Sequence, residues 1–460
     1  MNTTQPTTGA RLRLTALDGR TWLTVIVLGF VGQLAWTVEN MYLNVFVYDT
    51  ITDDPTVIAG LVAASAVAAT GATMLIGAAS DRARARKPFI AGGYVLWGLA
   101  TAAFGFVQPE QAGAAAATAQ TVALAVVAIV ALDCVMSFFG AGANDAAFNA
   151  WVTESTQPHT RGRVEGVLAV MPLMAMLVVF GALDGLTQAG QWRLFFGIVG
   201  GATALVGVVA WFLVRENDVV APASEGYFAS VVHGLRPRSI AQRPRLYVTL
   251  LAYTIIGTAT QIFVPYLIIY IQRYLRIDAY ALILASVLIL ASVVSILGGR
   301  IIDRVGKLRA LLPSVALMIV GLGAMFFVRD LISVILAGTL MMSGFMLSIA
   351  AIAGSVRDQT PLNRVGMVQG LRMIAAVLLP MVIGPFIGAA VIVGAGETYE
   401  ELGVVKQVPT PWIFVAGALI AALVIIPVLW LKRLPADALE PAPEAVDSTP
   451  GAAESAGDAR

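Results

Sequence analysis

The chain has 460 residues, of which 58% are hydrophobic and only 12% are charged, and its formal net charge is +1 at pH 7. Soluble domains carry about 25% charged residues, so a surface that mostly faces lipid explains the shortfall, and the near-zero net charge excludes nucleic acid as a partner. One cysteine and two histidines provide neither an internal disulfide nor a metal-ligand cluster, so we expect no metal and no cofactor.

Twelve stretches of the chain are apolar and reach the length of about 20 residues that spans a bilayer. The first six run near 22–47, 56–79, 88–107, 120–152, 164–186 and 192–214. The second six run near 246–271, 279–301, 309–328, 331–355, 365–394 and 410–432. They predict an all-α integral membrane protein with twelve transmembrane helices in two pseudo-symmetric six-helix bundles. Pro380 and Pro385 favour a kink in the eleventh helix.

The polar segments divide the chain into five parts. Residues 1–21 are predicted to be a cytoplasmic N-terminus, and 22–214 the N-terminal bundle. The apolar run of the first helix is too long for the core of a signal peptide, so we expect it to stay uncleaved. The arginine-rich segment 215–245 is predicted to be a cytoplasmic linker, 246–433 the C-terminal bundle, and 434–460 a disordered cytoplasmic tail rich in Pro, Ala, Glu and Asp.

Basic residues predict the orientation, because cytoplasmic loops are enriched in Lys and Arg. With both termini in the cytoplasm, all but five of the 29 basic residues fall on the cytoplasmic side. The five on the outer side are Arg193, Arg273, Arg276, Arg329 and Lys406. The sequence therefore predicts a multi-pass protein of the cell membrane with both termini cytoplasmic.

Each half contains one short basic hairpin with the same spacing of Gly, Asp and Arg. The residues are Gly77, Asp81 and Arg82 in the first half, and Gly299, Asp303 and Arg304 in the second. The carboxylates can cap a neighbouring helix end and pair with loop arginines, and release of these contacts would let the halves part. We therefore predict a gating role for these six residues, separate from solute binding.

The paired hairpins, the twelve helices and the central basic loop resemble the major facilitator superfamily over about residues 20–433. A finer likeness, to the glycoside–pentoside–hexuronide cation symporters, lies in the first half. It is carried by Asn40-Met41-Tyr42-Leu43, by Asp81-Arg82 through Arg86-Lys87-Pro88-Phe89-Ile90, and by Asn144-Asp145 through Thr156 and Arg161. The resemblance implies a transporter with a central seam between its halves, and the branch implies a sugar moved with sodium or protons.

In an alignment with that branch, its first-helix Asp falls on Gln33, its fourth-helix Asp on Asp145 and a nearby Trp on Asn149. Sodium-coupled members carry acidic residues on the second helix, whereas residues 56–77 contain none. The comparison implies that a proton, rather than sodium, is the coupling ion.

Polar residues follow one face of the first helix. Gln33, Trp36 and Asn40 are spaced by three or four residues, and an aromatic plate beside amide groups suits a sugar. We predict that these three contact the substrate; the alternative is that the amides hydrogen-bond neighbouring helices. Glu39 lies beside this face, in the outer half of the predicted helix. It is either a proton carrier or a side chain exposed at the rim.

In the fourth helix, Asp145 lies about 12 Å from the cytoplasmic boundary, close to the middle of a hydrocarbon core about 30 Å thick. Desolvation favours the neutral form of a carboxyl, which suits proton coupling, and the same group can accept hydrogen bonds from a sugar. Asn149 follows four residues later on the same face. A structural pair with a neighbouring helix is the alternative for Asp145. Asp133 is expected nearer the outer end.

The second half contributes two candidate substrate contacts. Gln261 lies near the middle of the seventh helix, and Arg372 lies about two turns into the eleventh, where it needs a carboxylate or a substrate oxygen.

Three classes of function compete. The first is a secondary transporter that acts as a monomer in the lipid bilayer and moves a small polar solute, most simply a sugar or glycoside, with protons. The second is an exporter of amphipathic compounds or a lipid flippase, whose path would be lined by Met and Phe. The third, a membrane enzyme or receptor, is disfavoured, because the sequence lacks a nucleophile–base arrangement, a metal-ligand cluster and a phosphate-binding loop.

Overall fold

The computed structural model describes residues 18–107, 119–156, 158–216, 234–360, 365–401 and 404–434. Most of the predicted N-terminal segment, of the linker and of the tail lies outside these ranges. Twelve helices are long and apolar enough to cross a membrane. The first six are α1 (Gly19–Thr50), α2 (Pro55–Ala83), α3 (Lys87–Phe106), α4 (Gln120–Ser155), α5 (Arg163–Gln188) and α6 (Trp192–Leu213). The others are α7 (Pro244–Tyr274), α8 (Tyr280–Ile302), α9 (Lys307–Phe327), α10 (Leu331–Asp358), α11 (Met367–Ala395) and α12 (Trp412–Arg433).

These twelve helices confirm the predicted all-α membrane fold. Each predicted stretch coincides with one helix, and the ends differ by a few residues. A short helix, Pro237–Gln242, lies within the predicted linker, and α7 begins at Pro244, slightly before its predicted start.

One element was not predicted from the sequence. Between α11 and α12, strands β1 (Thr398–Glu401) and β2 (Val404–Gln407) pair antiparallel, with Thr398 opposite Gln407. The hairpin is short, and its backbone donors and acceptors satisfy one another. It lies on the side of the bundle opposite the basic hairpins. We call the side that carries the basic hairpins the basic side, and the opposite one the far side.

Helix ends are fixed by local chemistry. Asp54 caps α2: its Oδ1 accepts from the backbone N–H of Thr56 at 2.8 Å, and Pro55 occupies the first helical position, where no donor is needed. Asp330 caps α10 in the same way, and hydrogen bonds from the side chain and backbone of Ser333 lower the pKa of its carboxyl.

Small residues bring some helices into backbone contact. A Cβ on Gly98 of α3 would lie 2.3 Å from the backbone N of Ala204 in α6. A Cβ on Gly321 of α9 would lie 2.2 Å from the backbone N of Met341 in α10. In lipid, helix association depends on such close packing, because the bilayer itself is as apolar as the side chains.

Five transmembrane helices contain a π segment within the described residues, in which one turn holds an extra residue. The segments are Val38–Tyr42, Ala141–Phe148, Val179–Leu183, Tyr270–Tyr274 and Ile374–Leu378. Four of the predicted site residues lie in or next to such a segment: Glu39, Asn40, Asp145 and Asn149. Departures from α-helical geometry are frequent at functional sites, so these segments are candidates for functional regions.

Candidate functional site

A cavity of about 270 Å³ lies between α1, α4 and α5. Its lining residues are Gly29, Gln33, Asn144, Asp145, Phe148, Asn149, Glu165, Leu168 and Ala169. The structure therefore brings three of the predicted substrate contacts, Gln33, Asp145 and Asn149, to one cavity. Glu165 stands near the start of α5, so the cavity extends toward the basic side.

Asp145 is positioned by a chain of hydrogen bonds that the sequence analysis did not predict. The Nδ2 group of Asn144 donates to Asp145 Oδ1 at 3.0 Å, and the Tyr94 hydroxyl lies 2.8 Å from Asn144 Oδ1. Tyr94, from α3, also lies 2.9 Å from the carbonyl oxygen of Leu28 in α1. The network ties three helices together behind the cavity and holds one carboxyl oxygen in place.

Asn149 is exposed, and its Nδ2 donates to the carbonyl oxygen of Asp145 at 3.2 Å. One N–H of the Asn149 amide is therefore used within α4, and the amide oxygen can accept a hydrogen bond from a solute in the cavity. The Gln33 side chain is half-buried and reaches the cavity from α1.

The other two candidate substrate contacts on α1, Trp36 and Asn40, do not line the cavity. The Trp36 ring packs on Trp97 of α3, with ring centroids 5.1 Å apart. Asn40 is exposed, and its Nδ2 donates to the carbonyl oxygen of Trp36 at 2.8 Å. The aromatic ring that lines the cavity is Phe148, which lies in the π segment of α4.

Glu39 is buried, with 8% of its surface exposed, so the alternative of a rim-exposed side chain is wrong. Its Oε1 accepts a hydrogen bond of 2.5 Å from the Ser137 hydroxyl of α4. Asp133 lies one turn before Ser137 and is only 1% exposed. Burial follows from the position of Glu39 on the face of α1 that packs against α4.

The two candidates of the second half do not reach the cavity. Gln261 packs against α11, where a Cβ on Gly384 would lie 2.6 Å from Gln261 Cβ. Arg372 is exposed, and its Nε donates to Gln369 Oε1 at 2.7 Å within the same helix. The partner is an amide oxygen of its own helix, whereas the sequence analysis expected a carboxylate or a substrate oxygen.

In the first basic hairpin, the buried charged residue is Arg86. The sequence analysis had instead named Asp81 and Arg82 as gating residues of this hairpin. Its guanidinium pairs with Asp81 at 2.5 Å and with Glu154 of α4 at 2.7 Å. Burial acts to lower the pKa of Arg86, but hydrogen bonds to Glu154 and Asp81 outweigh it and raise the pKa above its usual value. Arg82 is exposed. Gly77 lies against Ala146 of α4.

The second hairpin has a different arrangement. Gly306 adopts φ +97° between α8 and α9, a conformation that favours glycine. Lys307 pairs with Asp358 of α10 at 2.6 Å. Gly299 faces open space and Arg304 is exposed. Asp303 belongs to the helix Tyr280–Val305, but its side chain lies outside the described part of the structure.

On the far side, polar contacts join the two halves, and the sequence analysis identified none of them. Asp184 Oδ1 of α5 accepts hydrogen bonds from the hydroxyls of Tyr42, at 2.9 Å, and of Tyr280 in α8. Arg273 of α7 pairs with Asp49 of α1 at 2.7 Å. Each contact spans well over 90 residues of sequence, which local patterns cannot reveal.

The β-hairpin adds to these contacts. The backbone N–H of Gln407 donates to Asp53 Oδ2 at 2.6 Å, and its carbonyl oxygen accepts from the Tyr48 hydroxyl. Tyr266 of α7 bridges the carbonyl oxygens of Pro55 and Pro385 at 3.0 and 2.9 Å. Among the described residues, no group of three or more His, Cys, Asp and Glu side chains is placed to hold a metal ion.

Solved transporter structures share this architecture. The chain is similar to a mutant form of the nucleoside transporter NupG, with a TM-score of 0.66 and 13% identity over 90% of this chain and 99% of that one. The xylose transporter XylE from E. coli matches with a TM-score of 0.64 and 13% identity over 91% and 98%.

A bacterial homologue of the human lysosomal transporter Spinster matches with a TM-score of 0.62 and 15% identity, over 91% of this chain and 96% of that one. No curated protein sequence matches the chain. The model of the Major Facilitator Superfamily matches residues 25–375 and 249–454. Since these matches extend over most of the chain, the protein belongs to the major facilitator superfamily.

Proposed function

We propose that this member of the superfamily is a secondary transporter of a small polar solute, a sugar or glycoside, driven by protons, and that it belongs to the glycoside–pentoside–hexuronide branch. The single observation that carries the proposal is the cavity that collects Gln33, Asp145 and Asn149 from α1 and α4. Carboxylate and amide oxygens accept hydrogen bonds from hydroxyl groups. Phe148 is the aromatic residue of the described lining, and at 2% exposure it contributes part of an apolar wall.

The charge of the lining narrows the range of possible solutes further. Asp145 and Glu165 are acidic, and the described lining contains no Lys, Arg or His. A phosphorylated or carboxylated solute would meet two carboxyls of like charge. The cavity thus favours an uncharged polyhydroxylated solute.

An exporter of amphipathic compounds or a lipid flippase is the second candidate of the same superfamily. Such a path should be rich in Met and Phe, whereas the described lining has one Phe and no Met. The polar lining favours the first candidate.

Transport would proceed by alternating access between the predicted bundles 22–214 and 246–433. The proposed gates are the hairpin residues Gly77, Asp81, Arg82, Gly299, Asp303 and Arg304. Asp145 and Glu39 are the proposed proton carriers. Trp36, Asn40, Gln261 and Arg372 remain proposed contacts for another conformation, because none of them lines the cavity in this one. We further propose a monomer in the cell membrane with both termini cytoplasmic.

The test is uptake into proteoliposomes over a panel of sugars and glycosides, with and without an inward-directed proton gradient. We expect Asp145→Asn to abolish accumulation while keeping part of the exchange, because the amide can bind hydroxyls but cannot carry a proton. Asp18→Asn is the matched control, since Asp18 is exposed and pairs with Arg215 at the surface. Accumulation that survives in Asp145→Asn would contradict the assignment, and movement of a lysolipid but of no sugar would favour the second candidate.

A further inference from the structure

Glu39 and Asp133 form a buried acid pair between α1 and α4. They are 8% and 1% exposed. Ser137, which donates a hydrogen bond to Glu39, lies one helical turn after Asp133 on α4, so both acids belong to the same contact between α1 and α4. We refer to these two residues as the acid pair.

Each member of the acid pair has a buried oxygen without a hydrogen-bond partner. Among the described residues these are Glu39 Oε2 and Asp133 Oδ1. The other oxygen of Glu39, Oε1, accepts a hydrogen bond from the Ser137 hydroxyl at 2.5 Å. Buried polar atoms without a partner are rare in proteins, and each one calls for an explanation.

No basic side chain neutralises the acid pair. None of the ion pairs of the described residues includes Glu39 or Asp133. The other titratable groups that interact with the pair are Cys134 and Asp145, both on α4. Two uncompensated carboxylates in this environment would cost several kcal/mol each.

We propose that Glu39 and Asp133 hold one proton between them and together form a proton-binding site beside Asp145. A proton on one carboxyl removes one of the two buried negative charges and turns one acceptor oxygen into a donor. The step is a simple exchange: a water-borne proton forms an O–H bond with one carboxylate of the pair, and that bond breaks again when the proton leaves to water on the other side.

This inference rests on the proposed function and adds a partner for Glu39. It also links the proton to the solute, because Asp145 lines the cavity and acts electrostatically on Glu39. A solute that hydrogen-bonds to Asp145 changes the field at the acid pair. By linkage, protonation of the pair must then change the affinity for the solute.

Infrared spectroscopy of the purified full-length protein tests the acid pair without any solute. Because Asp145 is itself a proposed proton carrier, the spectra are recorded on an Asp145→Asn background. There we expect the carbonyl band of a protonated carboxyl at neutral pH, and we expect Glu39→Gln and Asp133→Asn each to remove it. Ser137→Ala, which deletes the hydrogen bond to Glu39, should shift the band and keep it. Asp184→Asn is the matched control: it removes another buried acid and should leave the band in place. A band unchanged in Asp133→Asn overturns the proposal.

Proteoliposomes provide the second readout. We expect each single substitution to lower proton-driven accumulation by about tenfold, within the usual range of coupling effects, and the double substitution to lower it no further, because one proton is shared. Exchange without a gradient should persist in all three variants. Equal loss of exchange and accumulation would overturn the shared-proton assignment. If the wild-type protein moves no protons with any solute, the proposed coupling fails, while the infrared result still decides whether the pair shares a proton.

Discussion

The two sides of the bundle are held together differently. On the far side, polar contacts run between the halves: Tyr280 reaches Asp184, and Arg273 reaches Asp49. On the basic side, the ion pairs of the described residues stay within one half, as in the pair of Arg86 with Glu154. The cavity extends toward this second side. In this conformation the two halves are therefore joined by polar contacts on the far side. Transport by rocking halves requires those contacts to break and re-form.

The largest effect on stability is expected at the basic side, where Arg86 is 4% exposed. Arg86→Ala leaves Asp81 and Glu154 without their shared cation, and breaking a buried ion pair costs about 3–5 kcal/mol. We expect a large fall in the melting temperature in detergent. A variant as stable as wild type would show that the buried cluster contributes nothing.

Asp184→Ala should have a similar effect on stability and a larger one on conformation. It leaves the Tyr42 and Tyr280 hydroxyls without their acceptor, at about 1–3 kcal/mol for each unsatisfied buried group. Because the contact with Tyr280 joins the halves, the variant should shift toward a state open on the far side. Labelling of single cysteines placed on the far side measures this shift. Unchanged labelling would mean that Asp184 does not fasten the halves.

The smallest effect is expected for Lys307→Ala. The pair with Asp358 is short, but the two side chains are 34% and 60% exposed. Exposed ion pairs contribute about 0–1 kcal/mol. We expect a melting temperature within experimental error of wild type and near-normal uptake. A fall in melting temperature comparable with that of Arg86→Ala would contradict the distinction between a buried ion pair in the first hairpin and an exposed one in the second.

The sequence predicted the helices well, because hydrophobic length alone determines what spans a bilayer. It also named Gln33, Asp145 and Asn149 among seven candidate substrate contacts, and these three line one cavity. It did not predict Tyr94 or the contacts of Asp184, because these depend on which helices pack together. Trp36 resembled a sugar platform in the sequence, yet its ring packs on Trp97.

The π segment Val38–Tyr42 has a mechanical consequence for α1. An α-helix advances by about 100° per residue, so the surplus residue in this turn rotates everything that follows it by that angle. Relaxation to regular geometry would swing Tyr42 away from Asp184 and, in the same movement, turn Glu39 relative to Ser137. One backbone rearrangement of a single turn would then unlock the far side and disturb the acid pair together, without any long-range signal between them.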